Sequence, residues 1–483
     1  MDFEMTGEPL GDIGTEEFRA AAHRAVEWVG DYLDTIRERP VVPAVAPGDI
    51  RRSLPSVPPE QGERLEAIFE DFERLILPGI THWNHPRFFG YFGITGSTPG
   101  ILAELLIAAL NVNAMLWRTS PAATELEEVA CDWLRQAIGL SKDFSGVIND
   151  TASSSTLYAL AAAREAIPHL EIRKHGMSRQ RLRMYISEEA HSSVEKAGIV
   201  LGVGQDNVVK IPTDGVFRMD VDALQKAIRR DRKAGYHPFA VVATVGTTSV
   251  TAVDPVPAIA GVCAEEKLWL HVDAAYGGAA AVLESHRWVL SGCDSADSLV
   301  VNPHKWLFTP IDCSVLYCRH EHLLKRAFSL TPAYLKTDEA PCVRNLMDYG
   351  ASLGRRFRGL KLWFVLRAFG IDGARQRIAA HIDMAQQLRG WIEADPDYEV
   401  LAPTTFSTVV FRRRSSDEDN ERIHDEVNRS GRALISHTEV RGVHALRIAI
   451  GNLRTTLEDV RETWELIRSK AADAQDQANS VVR

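Results

Sequence analysis

Apolar residues recur at spacings of three and four from Phe18 through Ala22, Ala25, Val29, Leu33 and Ile36, one stripe along a helix. Thr15 before Glu16 and Glu17 reads as its start, because a hydroxyl cap and early carboxylates satisfy free amides and the helix dipole. Pro40 ends it, and the proline-rich stretch from Pro40 to Pro59 reads as an extended arm. A second stripe, Leu65, Ile68, Phe69, Phe72 and Leu75, predicts a helix over about Gly62 to Leu77. Both stripes need cover, and an arm between two helices suits exchange with a second copy across a symmetric interface.

From about Leu102 the pattern alternates. Short apolar runs predict strands at Gly146–Ile148, Arg183–Ile186, Phe239–Val245, Leu268–Val272, Ser298–Val301 and Cys313–Tyr317. Helix-like stretches such as Ser154 to Ala166 and Pro257 to Glu266 lie between them. Such alternation predicts an α/β fold whose sheet is mostly parallel and covered on both faces. Ligands then collect beyond the carboxyl ends of the strands. From about Ile371 the pattern becomes a long helix, strands at Ser407–Phe411 and Ala445–Ile450, and a final helix that reads as fraying over Ala471 to Arg483. The resulting division is an N-terminal helical segment (1–97), a large α/β domain (98–370) and a small α+β domain (371–483).

Composition narrows the function. The chain has 483 residues, 45% hydrophobic and 25% charged, an ordinary soluble balance. A net charge of -10 without a basic stripe argues against nucleic acid as partner. The start, Met1-Asp-Phe-Glu-Met, is acidic and unlike a secretory signal, and no apolar run reaches membrane-spanning length. Six cysteines without metal-type pairing predict reduced thiols, hence a cytoplasmic protein.

The chemistry concentrates at strand ends. Lys305 follows the run ending at Val301, and Asp273 ends the run Leu270-His-Val-Asp273. A lysine that can bind an aldehyde and an aspartate that can hold a pyridinium proton are the pair that pyridoxal 5'-phosphate (PLP) needs. The hydroxyl-dense Thr151-Ala-Ser-Ser-Ser-Thr156 opens a helix directly after a strand. A cap with surplus hydroxyls is the plain alternative, but anion binding is the better reading. His191 falls beyond another strand, placed as an aromatic partner for the ring. His271, Asp273 and His304 could also be read as metal ligands. No further ligand has suitable spacing, and a metal explains neither Lys305 nor the hydroxyls, so no metal is expected.

Six segments then carry a resemblance over nearly the whole chain, from about Phe18 to Ile467. They are Pro78-Gly-Ile-Thr-His-Trp-Asn-His-Pro86, Ser120-Pro-Ala-Ala-Thr-Glu-Leu-Glu127, Ala190-His-Ser-Ser-Val-Glu-Lys-Ala-Gly198, His271-Val-Asp-Ala-Ala-Tyr276, Asn302-Pro-His-Lys-Trp306 and Gly354-Arg-Arg-Phe-Arg358. On these the chain resembles the group II PLP-dependent amino-acid decarboxylases, specifically the aromatic-L-amino-acid decarboxylases. The resemblance implies PLP fold type I and a homodimer with active sites at the interface. It implies Lys305 as the lysine that carries the cofactor, Asp273 as the pyridinium partner and His191 as the stacking ring. Ala275 would lie under the ring, with Thr151, Ala152, Ser153, Asn302 and His304 on the phosphate, and Thr248 supporting the cofactor and His191.

The resemblance also predicts the reaction. Tyr334, in a mobile loop of about Ser329 to Tyr349 supplied by the other subunit, would return a proton to Cα after carbon dioxide leaves. Similar aldehyde synthases carry phenylalanine there, or asparagine in place of the histidine. With Tyr334 and His191 both kept, the expected product is the amine, and the alternative is an aromatic acetaldehyde synthase. A PLP-fold protein kept only for binding is disfavoured by the intact Lys305, Asp273 and His191. Trp83, Tyr91, Phe92 and Gly354 would line the substrate pocket, whose aromatic walls suit a ring-bearing side chain. Gly93, Ile94, Asn113, Met115 and Asp150 depart from the animal enzymes' pattern. They leave tryptophan, 5-hydroxytryptophan, phenylalanine, tyrosine and dihydroxyphenylalanine open as substrates. Arg447 reads as a structural residue of the small domain.

Overall fold

A computed structural model describes residues 11–167, 169–177, 181–330 and 342–481, with side chains described as far as residue 472. Seven strands share one sheet: β1 (Ser145–Asn149), β2 (Leu182–Ser187), β3 (Val208–Ile211), β4 (His237–Thr244), β5 (Trp269–Asp273), β6 (Ser298–Val301) and β7 (Ser314–Cys318). Their order is β1-β7-β6-β5-β4-β2-β3. The pairs β6–β5, β5–β4, β4–β2 and β2–β3 are parallel, and β7 runs against both its neighbours. Because β1 and β6 are each antiparallel to β7, they point the same way. The carboxyl ends of β1, β2, β4, β5 and β6 therefore fall on one edge.

Central strands such as β5, β6 and β7 are buried at every position, as a sheet covered on both faces requires. The helix Ala152–Glu165 lies across one face, its alanines 159, 161, 162 and 163 buried. Small side chains let it approach the sheet closely and hold its first turn against the strand ends. The small domain has a four-stranded antiparallel sheet, β10-β11-β9-β8, made of β8 (Tyr398–Val400), β9 (Thr408–Arg413), β10 (Ser436–Val440) and β11 (Val443–Ala449). The long helical run Gly359–Ala394 leaves helical geometry at Gly370 (φ 62°, ψ 171°).

Several expectations needed adjustment. The first helix is Thr15–Asp34, capped by Gly14, so Thr15 is inside the helix and not its cap. The second is shorter than its stripe: Leu65–Asp71 is α-helical and the next turn, Phe72–Ile76, widens to a π-helix. The arm is interrupted by a short helix, Asp49–Ser53. The N-terminal segment is not free along its length. Val41 N–H donates to Gly431 O (2.7 Å), Phe89 N–H to Leu434 O (2.7 Å), and Ala449 N–H to Phe89 O (3.0 Å). These bonds lay the segment along the small domain of the same chain.

Candidate active site

The strand ends enclose a cavity of about 170 Å³. Lys305, Asp273 and His191 line it together. So do Thr151, Ala152, Ser153, Thr248, Ala275, Asn302 and His304, and with them Phe92. These residues are spread over more than two hundred positions of sequence, and the parallel sheet brings them to one edge.

Lys305 sits in the single helical turn Pro303–Trp306 after β6. Burial pushes its amine below the ordinary lysine range; the Asp273 carboxylate opposes this, and the Arg447 guanidinium adds to it. A depressed amine has a larger neutral fraction, the form that attacks a carbonyl. Its Nζ lies 5.0 Å from the centre of the Phe92 ring. Asp273 ends β5, is 6% exposed, and accepts a hydrogen bond from the Ala275 N–H (3.1 Å).

The hydroxyl cluster divides by function. Ser155 Oγ bonds Ser314 Oγ (2.9 Å) and Thr156 Oγ1 meets His271 Nε2 (3.2 Å), so these two are structural. Thr151 stands at the cap position of the helix Ala152–Glu165 in extended conformation, but its side chain makes no cap bond. Its hydroxyl, with Ser153, is left at the cavity and the helix start, where an anion is favoured. The Thr244 hydroxyl, on the cavity wall at the end of β4, is buried without a partner among the described residues.

Asn302 and His304 complete this cradle. His304 Nδ1 accepts the Cys313 N–H (2.9 Å), and burial lowers the imidazole to about 4. The neutral ring therefore carries its proton on Nε2, which meets the Asn302 carboxamide at 3.4 Å. That end of the carboxamide must accept, so it is the oxygen. The other end is buried without a partner among the described residues, and as the NH2 it can donate into the cavity. A helix start, unbonded hydroxyls and an orphaned amide donor fit a phosphate. An aspartate and a depressed lysine fit the rest of pyridoxal phosphate.

An aromatic column backs the site. Tyr276 stacks on Trp306 (4.8 Å, 12°), and its hydroxyl pairs with Ser407 Oγ (2.7 Å) of the small domain. Gly246, also on the wall, has φ 90°, and a Cβ there would meet Gly277 N at 3.1 Å. Only glycine suits that position.

Other residues fall elsewhere. His271, read as a possible metal ligand, is fully buried between Thr156 and Ser298 Oγ (2.9 Å). Among the described residues, no three His, Cys, Asp or Glu side chains form a metal cluster. Trp83 and Tyr91 stack on each other (5.7 Å, 14°) but do not line the cavity. Gly354 opens into a neighbouring cavity of about 270 Å³ with Asp150, Tyr349 and Arg358. Asp150 faces that second space while its Oδ1 takes the Thr151 N–H (2.7 Å). Gly93 packs on Gly451, where a Cβ would lie 3.0 Å from the carbonyl carbon. Tyr334 lies outside the described residues. The end of its loop is anchored, with Arg344 Nη1 on Gly146 O (3.0 Å).

Two contributors were not legible in the sequence. Ser193 lines the cavity and bonds His191 Nδ1 through its hydroxyl (2.7 Å). Arg447, in β11, is 3% exposed and bonds Ser249 O (3.2 Å) and Tyr91 O, and among the described residues its Nη2 has no partner. Its Cζ lies 4.8 Å from the Phe92 ring. It is structural, as expected, and also an electrostatic neighbour of Lys305. A buried cation beside Lys305 could only be noticed once its surroundings were known.

The chain is similar to known proteins over nearly its whole length. The conserved domain of pyridoxal-dependent decarboxylases matches residues 47–414. An aromatic-L-amino-acid decarboxylase of Sus scrofa is 38% identical over 95% of this chain and 97% of its own length. A phenylacetaldehyde synthase of Arabidopsis thaliana is 36% identical over 97% of this chain and 98% of its own. The crystal structure of Oryza sativa TDC with PLP and tryptamine superposes with a TM-score of 0.94 and 35% identity, over 96% of this chain and all of that one. On these matches the chain belongs to the pyridoxal-dependent decarboxylase family.

Proposed function

We propose that this protein is a PLP-dependent decarboxylase that converts an aromatic L-amino acid to its arylalkylamine and carbon dioxide. The observation that carries this reading is the gathering of Lys305, Asp273, His191 and the phosphate cradle around one cavity. Bound there, PLP supplies an electron-accepting ring for the pair left when the bond from Cα to the carboxylate breaks.

This chain's residues take the following parts. Lys305, its amine lowered by burial, would hold the cofactor through its aldehyde. Asp273 holds the proton on the pyridine nitrogen, and His191 covers the ring. Thr151, Ala152, Ser153, Asn302 and His304 hold the phosphate, with Thr248 and Ala275 against the cofactor. Tyr334 returns a proton to Cα, a role that rests on its motif. Phe92 walls the substrate side; Trp83, Tyr91 and Gly354 extend it where a second copy meets the first.

A homodimer is part of the same reading. Leu102, Leu105, Leu106 and Leu110, on one helix, are 53%, 51%, 44% and 60% exposed. The helix Thr15–Asp34 buries only Leu33. Monomeric proteins rarely leave such faces bare. A cytoplasmic location is supported by cysteines 131, 263, 293, 313, 318 and 342, all free.

The test is incubation of the holoenzyme with tryptophan, 5-hydroxytryptophan, phenylalanine, tyrosine and dihydroxyphenylalanine, scoring amine, aldehyde and oxygen uptake. Amine without oxygen uptake is expected. Aldehyde and ammonia with oxygen consumed would favour the aldehyde synthase, a reaction found in the Arabidopsis thaliana relative by its name.

A further inference from the structure

His191 stands at the head of the helix Ser192–Val200 in extended conformation (φ -63°, ψ 140°), and its side chain caps that helix. Two groups of Ser193 reach its ring. The backbone N–H lies 3.2 Å from Nδ1, and the hydroxyl oxygen lies 2.7 Å from the same atom. A backbone N–H can only donate. Nδ1 therefore carries a lone pair, the Ser193 hydroxyl donates to it as well, and the proton of the neutral ring sits on Nε2.

We propose that Ser193 is a positioning residue that holds His191 as the neutral Nε2–H tautomer, so that the ring offers the reaction a hydrogen-bond donor and no free lone pair. This deepens the proposed function and rests on its reading of His191 as the ring that covers the cofactor.

The surroundings agree. A charged imidazole would put a proton on Nδ1, against the Ser193 N–H and the positive end of the helix dipole. Burial, Lys305 and Lys196 all disfavour the charged ring, and only the Asp273 carboxylate favours it; the balance keeps His191 below the ordinary histidine range. With Nδ1 occupied and Nε2 protonated, His191 cannot accept a proton from the substrate. It can donate to an anionic oxygen. The division of labour follows: His191 orients, and the returning proton comes from another group, the part assigned to Tyr334.

The tautomer is directly readable. In holoenzyme labelled with nitrogen-15 in its histidine rings, long-range proton–nitrogen spectra give each ring nitrogen's state, and His191→Gln assigns the signals. The expected pattern is a lone-pair nitrogen at Nδ1 and a protonated one at Nε2. Ser193→Ala removes the hydroxyl and keeps the amide. It should raise the His191 pKa, move the acid limb of kcat/KM to higher pH, and lower kcat about fivefold with little change in KM, the worth of one hydrogen bond. Ser193→Thr restores the hydroxyl and should rescue all three. Ser193→Pro, tolerated in a first helical turn, deletes both the amide and the hydroxyl donor and should mix the tautomers. A protonated Nδ1 in the wild type overturns the proposal, as does a Ser193→Ala protein whose His191 signals and pH profile are unchanged. The ring spectra do not depend on turnover, so the tautomer and the decarboxylase reading can fail separately.

Discussion

The rings of Phe92 and Tyr276 lie 3.9 Å apart, centre to centre, and within 18° of parallel. Phe92 comes from the N-terminal segment and Tyr276 from the turn after β5, so this stack ties a substrate-side wall to the cofactor side. The Lys305 Nζ and the Arg447 Cζ also lie 5.0 and 4.8 Å from the centre of the Phe92 ring. Phe92→Leu should keep an apolar side chain and lose the stack, lowering stability by about 1 kcal/mol or more. KM should rise while the cofactor stays bound. Urea unfolding and steady-state kinetics check both, and an unchanged KM would remove Phe92 from the substrate wall.

Lys305→Ala should abolish turnover. Borohydride reduction of the wild-type holoenzyme should label Lys305, seen by peptide mapping, and label nothing in the variant. A tag on any other lysine would end the proposed site.

Tyr334→Phe removes the proposed proton donor. Losing one general acid costs about 10²- to 10⁴-fold, so amine formation should fall by at least the lower figure. Aldehyde and oxygen uptake should appear in its place. Amine formation at the wild-type rate would assign the proton to another group.

The Asp150 carboxylate takes the Thr151 N–H beside the phosphate cradle, with Arg358 close enough to feel its charge. Asp150→Asn removes a negative charge from a helix start that should hold an anion. Such charges are worth about 0.3–1 kcal/mol, so PLP should bind about two- to fivefold more tightly. Titrating the apoenzyme and following cofactor absorbance measures this; weaker binding would mean that the carboxylate organises the loop.

Acid should unfold this protein early. His271 and His304 are buried neutral, both lowered from 6.5 to about 4. Between those values the unfolded chain binds protons that the folded one refuses. Their contribution is full above pH 6.5 and is lost as pH falls toward 4, at about 1.4 kcal/mol per pH unit for each. Asp254, raised to about 6, has the opposite sign and offsets part of the loss below that pH. Urea midpoints should fall steeply from pH 6.5 downward. His304→Gln should make the slope shallower by about one proton's worth.

Leu105→Arg places a charge on the exposed leucine face. A charge left unpaired in a buried contact costs about 3–5 kcal/mol. Sedimentation should show dimers in the wild type and monomers in the variant, with activity lost in parallel. An unaltered sedimentation profile would put the interface elsewhere.

Chain periodicity reached six of the seven described strands of the large sheet and part of the cavity; Thr248, Ala275, Asn302 and His304 came from the family resemblance. Apolar runs of four to eight residues can only be buried strands when helices alternate with them, and the residue after such a run must lie at a sheet edge. That logic reaches Lys305, Asp273, His191 and Thr151 without coordinates. It misses β3, whose Lys210 breaks the apolar pattern, and the edge strand β10, which is mostly polar. What only the tertiary structure decided is pairing across long separations and the direction of each side chain. The strand order sets which ends are neighbours, and so puts Gly354 and Asp150 on a second cavity and Arg447 behind Phe92. Tautomers and amide orientations, such as those of His191 and Asn302, depend on which backbone N–H lies within three ångströms or so. Local sequence carries no record of that distance, because it is fixed by the packing of elements that are far apart along the chain.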